Sequence, residues 1–185
     1  LVLLAAGVPQ VAARLAAAQY RAADNMTDRQ GALMVLAGLD TPARAELLAD
    51  FKARYDGNAL VIDKWFSLQA GSLHPQALEH VKDLARHPDF TLSNPNRVRS
   101  LYMAFAANPQ AFHTASGEGY RMIADLILAL DPINAQTAAR FVPPLGRWRR
   151  IEPVRSARMR AELERIAAAA DLSRDTAEQV GRSLG

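Results

Sequence analysis

Prolines that directly follow small polar or acidic residues recur along this chain, and they constrain its fold more than any other feature. The pairs are Thr41-Pro42, Asn94-Pro95, Asn108-Pro109, Asp131-Pro132 and Glu152-Pro153. Proline suits the first position of a helix, because the N–H that it lacks has no partner there, and a preceding Thr41, Asn94 or Asp131 can cap the helix. Between these pairs the chain is rich in Ala, Leu, Arg, Glu and Gln, which favour helices. No segment alternates in the way that is typical of strands, so the sequence predicts an all-α protein.

The predicted helices are short and closely connected. They span approximately residues 9–23, 27–38, 42–55, 58–70, 75–86, 95–107, 118–130, 132–142, 153–170 and 173–184. Such helices favour antiparallel pairs stacked into an irregular HEAT/armadillo-like superhelix. Thr27 and Gln30 have the spacing of a capping box at the start of helix 27–38. Helix 58–70 is apolar on nearly all sides, so we expect it to lie between two layers. Its apolar residues are Leu60, Val61, Ile62, Trp65, Phe66 and Leu68.

The composition fits one globular domain over residues 1–185, half of which are apolar. There is no cysteine, which excludes disulfides and thiolate metal sites and is compatible with the cytoplasmic location that we predict. The apolar segment 1–7 is too short to span a bilayer, so we expect no membrane partner. The chain begins without Met, and we interpret Leu1 as a cut inside a longer polypeptide, with segment 1–24 incomplete at its edge.

Motifs for catalysis are absent from the sequence. It contains no His-Glu-x-x-His, the pattern that places two zinc ligands and a general base on one helix. The histidines are His74, His80, His87 and His113, and solvated or capping roles are favoured over a metal site because no third ligand can be placed. The Gly-x-Gly at 117–119 follows no strand, so a turn before helix 118–130 is favoured over a phosphate loop.

The densest basic run begins at Arg147-Trp-Arg-Arg150 and continues to Arg165. An interleaved tryptophan is compatible with nucleic-acid binding, but glutamates are mixed into the run and the net charge of the chain is only +3. Glu162 lies four residues after Arg158, which is the spacing of a helical ion pair. We therefore favour a solvated face with local ion pairs, or a docking surface for another domain, and expect no nucleic-acid partner.

Two arginine placements are unusual. In helix 95–107, Arg97 and Arg99 fall on opposite shoulders of the apolar stripe, so one can face solvent while the other faces an interior cavity. In helix 132–142, Gln136 and Arg140 are four residues apart, and we place them on the inward face with Ile133 and Thr137. A charge on an inward face needs either a carboxylate partner or a wet chamber. The residue pattern leaves both a structural ion pair and a ligand contact open.

Several ordered blocks resemble the C-terminal helical domain of the bacterial aminopeptidase N family, which comprises M1-type zinc aminopeptidases. The blocks are Asn25–Asp28, Asn58–Ala70, Ser93–Leu101, Asn108–His113, Gly117–Tyr120 and Asp131–Asn134. The resemblance covers nearly the whole chain from about Asn25. It implies a helical superhelix that covers a catalytic domain of the same polypeptide and encloses a chamber for peptide substrates. The zinc of the family would then lie in that other domain, and this segment would contribute no catalytic residue and bind no cofactor.

The resemblance also assigns site residues. Arg99, Gln136 and Arg140 match positions that line the chamber in the family, where they would attract the C-terminal carboxylate or downstream carbonyls of a peptide. Arginine suits this role because its planar guanidinium donates two parallel hydrogen bonds. The alternative prediction is a stand-alone α-solenoid that binds proteins or peptides along its concave face.

Overall fold

A computed structural model describes residues 2–185, in which every regular element is helical. The helices are α1 Val2–Gly7, α2 Pro9–Ala22, α3 Met26–Ala37, α4 Pro42–Arg54, α5 Ala59–Ala70, α6 Ala77–Ala85, α7 Pro95–Val98, α8 Ala104–Ala106, α9 Pro109–Phe112, α10 Glu118–Leu130, α11 Ala135–Ala139, α12 Val142–Gly146, α13 Pro153–Ala167 and α14 Arg174–Leu184. A π-helical segment, Arg99–Met103, joins α7 to α8, and a 3₁₀ turn, Trp148–Arg150, follows α12. The predicted all-α class is confirmed, and sequential helices such as α2 and α3 pack as pairs.

Asparagine begins many of these helices. Asn94 accepts hydrogen bonds from the backbone N–H groups of the first turn of α7, as predicted. The predicted capping box in α3 is wrong, because the side chain of Asn25 accepts from the N–H of Asp28 at 2.9 Å and starts the helix before Thr27. Thr41 precedes α4 but makes no capping hydrogen bond. A short polar amide two residues upstream therefore outcompeted the threonine as the cap of α3.

The region predicted as helix 132–142 is divided in two. Asn134, rather than Asp131, caps α11 by accepting from the N–H of Thr137 at 2.9 Å. The chain leaves the helix at Arg140 and resumes in α12. Asp131 is instead buried beside the start of α14, where it accepts from the backbone N–H and hydroxyl of Ser173 at 2.7 and 2.6 Å and from the hydroxyl of Thr176 at 2.5 Å. This carboxylate fastens the last helix to the end of α10.

Helix α5 is the centre of the first half of the chain. It packs against α3, α4 and α6 and against the π-helical segment. Trp65 is only 8% exposed, and its indole N–H donates to the carbonyl of Leu48 at 2.9 Å. Phe66 is fully buried beside it, with the ring centroids 5.2 Å apart. The expected burial of α5 is confirmed except at Leu60, which is 72% exposed because it lies in the first turn, beyond the edge of the neighbouring layer.

A buried arginine closes this core. Arg97 donates through Nε to Asp63 Oδ1 at 2.5 Å and through Nη1 to the carbonyl of Asp89 at 2.5 Å. Its guanidinium also lies over the ring of Phe66, 4.9 Å from the centroid. The charge is thus paired, hydrogen-bonded and covered by an aromatic face, which is how a protein tolerates a buried arginine.

The second half of the chain is built from α10 to α14. Helix α10 packs on α13 and α11, while α14 packs on α11, α12 and α13. Fully buried side chains join the helices, including Tyr120, Ile127, Phe141, Leu163 and Ile166. None of the helices described between residues 2 and 185 combines the length and apolarity that crossing a membrane requires.

Candidate functional site

Arg97 and Arg99 have opposite environments, as their positions on the helix predicted. Arg97 is the buried member of the ion pair with Asp63. Arg99 opens the π-helical segment, and its side chain is exposed. The side chain of Arg99 makes no hydrogen bond or ion pair within residues 2–185, so of these two arginines only Arg97 has the structural role that the sequence left open. The π-helical segment was not predicted, and such an inserted residue often marks a functional site.

The side chains of Gln136 and Arg140 are also exposed and make no polar contact with the part of the chain that the structure describes. Gln136 lies in α11 and Arg140 follows its last residue. The predicted sharing of one inward face is wrong. Thr137 is buried toward α14, whereas Ile133 is 54% exposed in the turn before the helix. Helix α11 begins only at Ala135, after the Asn134 cap, so Ile133 is not part of it, and the side chains of Gln136 and Arg140 lie on its exposed side.

A pocket of about 360 Å³ lies beside the π-helical segment that begins at Arg99. Met103, one helical turn after Arg99, lines it from the π-helical segment, and Pro144, four residues after Arg140, lines it from α12. The remaining lining residues are Ala106, Ala107, Phe112, His113, Arg147, Arg150 and Ile151. We call this the amphiphilic pocket. Arg99, Gln136 and Arg140 are not among its lining residues.

The histidines take mainly local roles. His74 Nδ1 accepts from the N–H of Gln76 and His87 Nδ1 accepts from the N–H of Asp89, both at 3.1 Å. These are turn contacts rather than the helix caps that the sequence favoured, because α6 has no side-chain cap and no helix begins at Asp89. His80 stacks on His74 with ring centroids 4.5 Å apart, and its Nδ1 lies 2.9 Å from Nη2 of Arg44. Burial, and then the charge of Arg44, lowers the pKa of His80 to about 4. In the described part of the chain, no three histidine or carboxylate side chains are grouped to hold a metal.

The Gly-x-Gly segment is a turn. Gly117 has a φ of +75° at the start of α10, a conformation that favours glycine. A Cβ at Gly119 would lie 2.4 Å from the carbonyl oxygen of Phe112, so this glycine permits close packing of α10 on α9. The favoured interpretation as a turn before α10 is confirmed.

The basic run forms local ion pairs, as expected. Arg165 pairs with Glu162 at 2.7 Å and with Asp125 at 2.6 Å, and Arg160 pairs with Glu164 at 2.8 Å. The predicted pair of Arg158 with Glu162 does not form; Arg158 packs instead against Gly117. These exposed pairs stabilise the helix only weakly.

An apolar groove of about 530 Å³ lies at the N-terminal edge, between α1, α3 and the turn after α5. Val2, Met34 and Leu73 line it and are largely exposed. We expected segment 1–24 to be incomplete at its edge, and its apolar first residues include Leu1, which lies outside the described residues. The groove extends that surface to two further parts of the chain.

Comparison with known proteins assigns the chain to a family. It is 45% identical over 167 residues to an aminopeptidase N of Caulobacter vibrioides and 40% identical over 182 residues to that of Escherichia coli, covering 90% and 98% of this chain. A crystal structure of Legionella pneumophila aminopeptidase A in complex with aspartic acid superposes with a TM-score of 0.91, covering 98% of this chain at 33% identity.

The chain spans about a fifth of the length of these relatives: 19% and 21% of the two aminopeptidases N, and 21% of the aminopeptidase A chain. The resemblance to the helical C-terminal domain of aminopeptidase N, inferred from the sequence blocks, is confirmed. Residues 1–185 also match the family described as a domain of unknown function with ARM repeats, in agreement with the predicted armadillo-like architecture. The chain belongs to this ARM-repeat family, DUF3458_C.

Proposed function

We propose that this chain is the non-catalytic helical domain of a cytoplasmic zinc aminopeptidase, in which it covers the active site and shapes the chamber that admits peptides. Arg99, Gln136 and Arg140 face that chamber and bind the downstream part of the substrate. The observation that carries the proposal is their exposure: the two arginines have no acidic partner among the described residues. A ligand carboxylate would supply the partner that the domain does not.

The residues of this chain do not fit a zinc ion. There is no His-Glu-x-x-His in the sequence, and the described side chains include no suitable group of three ligands. Zinc and the chemistry of peptide-bond hydrolysis therefore belong to another part of the polypeptide. This domain attracts and orients the substrate, which lowers the free energy of the bound complex without breaking a bond.

The catalytic domain of the same polypeptide is the proposed partner. Two observations support it: the chain spans only about a fifth of its curated relatives, and its N-terminal edge carries an exposed apolar groove. Apolar surface of this kind is often covered by a neighbouring domain. Light scattering of the 185-residue chain across a concentration series would test it, because an uncovered groove should promote self-association. Strictly monomeric behaviour would count against the groove as a docking surface.

The decisive experiment uses the full-length protein. Replacing Arg99 or Arg140 with Ala should raise the KM for peptides several-fold, because each change removes a donor for the substrate carboxylate. Hydrolysis of an aminoacyl-arylamide, which has no downstream carboxylate, should change less. Arg14→Ala is the matched control, since Arg14 is an exposed arginine on α2 with no polar partner among the described residues.

Melting curves separate binding from structure. If the arginines act on substrate, the melting temperature of each variant should equal that of the parent. Equal kinetic losses on peptide and arylamide, accompanied by lower melting temperatures, would contradict the proposal. Full-length protein without aminopeptidase activity would instead favour a peptide-binding solenoid.

A further inference from the structure

The 3₁₀ turn Trp148–Arg150 is held rigidly against the end of α14. The indole N–H of Trp148 donates to the carbonyl of Ser183 at 2.9 Å. Arg149 donates to the carbonyl of Leu184 at 2.7 Å and lies over the Trp148 ring, 4.2 Å from its centroid. These contacts satisfy carbonyl groups in the last turn of the helix, which lack partners within it. They fix the conformation of the turn and occupy two of its three side chains.

Arg147 and Arg150 are the two arginines that this anchoring leaves unused. The N–H of Arg150 donates to the carbonyl of Arg147 at 2.9 Å, and residues three apart in such a turn are eclipsed. Both side chains line the amphiphilic pocket. Neither side chain makes a hydrogen bond or ion pair within residues 2–185. The turn thus presents two cations without an acidic partner to one concavity.

The nearest acidic side chain in sequence is already committed. Glu152 accepts hydrogen bonds from the N–H groups of Val154 and Arg155 at 2.8 and 3.0 Å, and it pairs with the Arg155 guanidinium at 3.0 Å. Its carboxylate caps α13 and is not available to neutralise Arg147 or Arg150. The positive charge at the rim of the pocket is therefore left for a ligand.

The floor of the pocket is apolar. Met103, Ala106 and Phe112 line it on one side, and Pro144 and Ile151 line it on the other. Its volume of about 360 Å³ is near the lower end of small-molecule sites, which span about 300–1,000 Å³. Such a pocket is large enough for one apolar side chain and not for a long segment of peptide.

His113 adds polarity to the pocket without adding charge. Its Nδ1 lies 2.8 Å from the hydroxyl of Tyr120, and its carbonyl accepts from Arg155 Nε at 2.8 Å. Burial, and then the charge of Arg155, lowers the pKa of His113, so the imidazole is neutral near pH 7. Arg147 and Arg150 are therefore the charged groups of this pocket.

We propose that the amphiphilic pocket binds an apolar carboxylate, namely the C-terminal residue of a peptide other than the one that Arg99 and Arg140 hold, with its side chain on the apolar floor and its carboxylate between Arg147 and Arg150. This deepens the proposed function and rests on it for the identity of the ligand as a peptide. The site would give the domain a preference for peptides with an apolar last residue. Two arginines suit a carboxylate because each can donate parallel, charge-assisted hydrogen bonds.

Arg147 and Arg150 also border a second, more polar cleft of about 510 Å³ against α14. Arg149 and Arg182 line this cleft as well. Arg182 is paired with Glu178 at 3.2 Å, and that cleft has no apolar floor comparable to Met103 and Phe112. A small inorganic anion would suit the polar cleft. An apolar carboxylate suits the amphiphilic pocket, so the two kinds of ligand distinguish the sites.

Calorimetric titration of the full-length protein tests the proposal with four probes: N-acetyl-leucine, N-acetyl-leucinamide, N-acetylglycine and inorganic phosphate. N-acetyl-leucine should bind roughly tenfold or more tightly than the neutral amide, because the amide loses charge-assisted hydrogen bonds. It should also bind more tightly than N-acetylglycine, which lacks the apolar side chain. The double variant Arg147→Gln, Arg150→Gln should weaken N-acetyl-leucine roughly tenfold or more, and Arg14→Gln should not.

Equal affinity for acid and amide, or unchanged binding by the double variant, would overturn the proposal. Phosphate binding as tightly as N-acetyl-leucine would point to a simple anion site and would overturn it as well. If the double variant melts at a lower temperature, its weaker binding could reflect altered folding. The affinities of the four probes for the unaltered protein then test the proposal by themselves. The titration measures binding and does not require peptide hydrolysis. If the full-length protein binds N-acetyl-leucine through Arg147 and Arg150 but cleaves no peptide, that result contradicts the proposed function and leaves the pocket proposal intact.

Discussion

Two neighbouring arginines mark the difference between the interior of this domain and its candidate ligand-binding surface. Arg97 is buried with a carboxylate, a carbonyl and an aromatic face around it. Arg99, two residues later, is exposed without a polar partner among the described residues. Arg140 has the same exposed environment at the end of α11. An arginine that has a carboxylate and a carbonyl as partners inside the domain is structural. An exposed arginine without such partners is available to bind a ligand.

The largest loss of stability should come from truncating a side chain in the buried core. Trp65→Ala should lower the free energy of unfolding by roughly 3–5 kcal/mol, because a large buried side chain is removed. The hydrogen bond from its indole N–H to the carbonyl of Leu48 is lost as well. Urea denaturation of the 185-residue chain would measure this. A midpoint close to that of the parent chain would show that α5 is not central to the core.

A comparable but smaller loss is expected for the buried arginine. Arg97→Ala leaves the carboxylate of Asp63 without its partner, which typically costs about 3–5 kcal/mol for a buried pair. We expect about 3 kcal/mol, at the lower end, because the side chain of Asp63 is 15% exposed and keeps some hydration. Equilibrium denaturation measures the loss, and Asp63→Asn is the second variant. If Arg97→Ala is as stable as the parent, the structural role of the pair is wrong.

Acid should weaken the domain through the stacked histidines His74 and His80. The pKa of His80 is lowered to about 4, by burial and then by Arg44, so folding favours the neutral imidazole. The corresponding stabilisation is fully present above the ordinary histidine pKa of about 6.5 and is lost as the pH falls to about 4. Denaturation midpoints between pH 7 and pH 4 would follow it.

His80→Gln provides the control for that profile, because glutamine can accept a hydrogen bond but does not titrate. The slope between pH 6.5 and pH 4 should become shallower in the variant, without vanishing, because the pKa of His74 is also lowered by burial. An unchanged slope would assign the acid sensitivity to other groups.

The smallest effect on stability should come from the exposed side. Arg99→Ala and Arg140→Ala should each change the free energy of unfolding by less than about 0.5 kcal/mol, since neither removes an interaction within the described chain. The same denaturation experiment compares them with Arg97→Ala. If Arg97→Ala and Arg99→Ala lower the free energy of unfolding by similar amounts, Arg99 also has a structural role and the difference between the two arginines is wrong.

Much of the fold could be predicted from local signals. Helix-forming segments placed α5 and α10 nearly at their observed bounds, and the Asn94-Pro95 pair marked the start of α7. The prediction failed where tertiary contacts outweighed local preference. Asp131 has the sequence of a helix cap, yet Ser173 and Thr176, more than forty positions away in the chain, use its carboxylate. Helix α9 was missed because its cap, Asn108, is also held by the carbonyls of Ala70 and Ser72.

The candidate site was predictable only in part. The sequence identified Arg99, Gln136 and Arg140 as unusual, and the resemblance gave them a role. It grouped Gln136 with Ile133 because a helix from residue 132 was assumed, whereas α11 begins at Ala135 and leaves Ile133 in the preceding turn. The amphiphilic pocket was not foreseen. Arg147 and Arg150 belong to the basic run that we interpreted as a solvated face. The apolar floor of the pocket comes from segments that are distant in the sequence.

The sequence by itself determined that this chain is helical, where most helices begin and end, and which family it resembles. These follow from backbone propensity, capping and ordered motifs, all of which act over a few residues. Only the tertiary structure decided which arginines are satisfied and which are free within the described chain. That outcome depends on whether a carboxylate such as Asp63 is brought within hydrogen-bonding distance from another helix, and helical periodicity places a side chain on a face without fixing what packs against it.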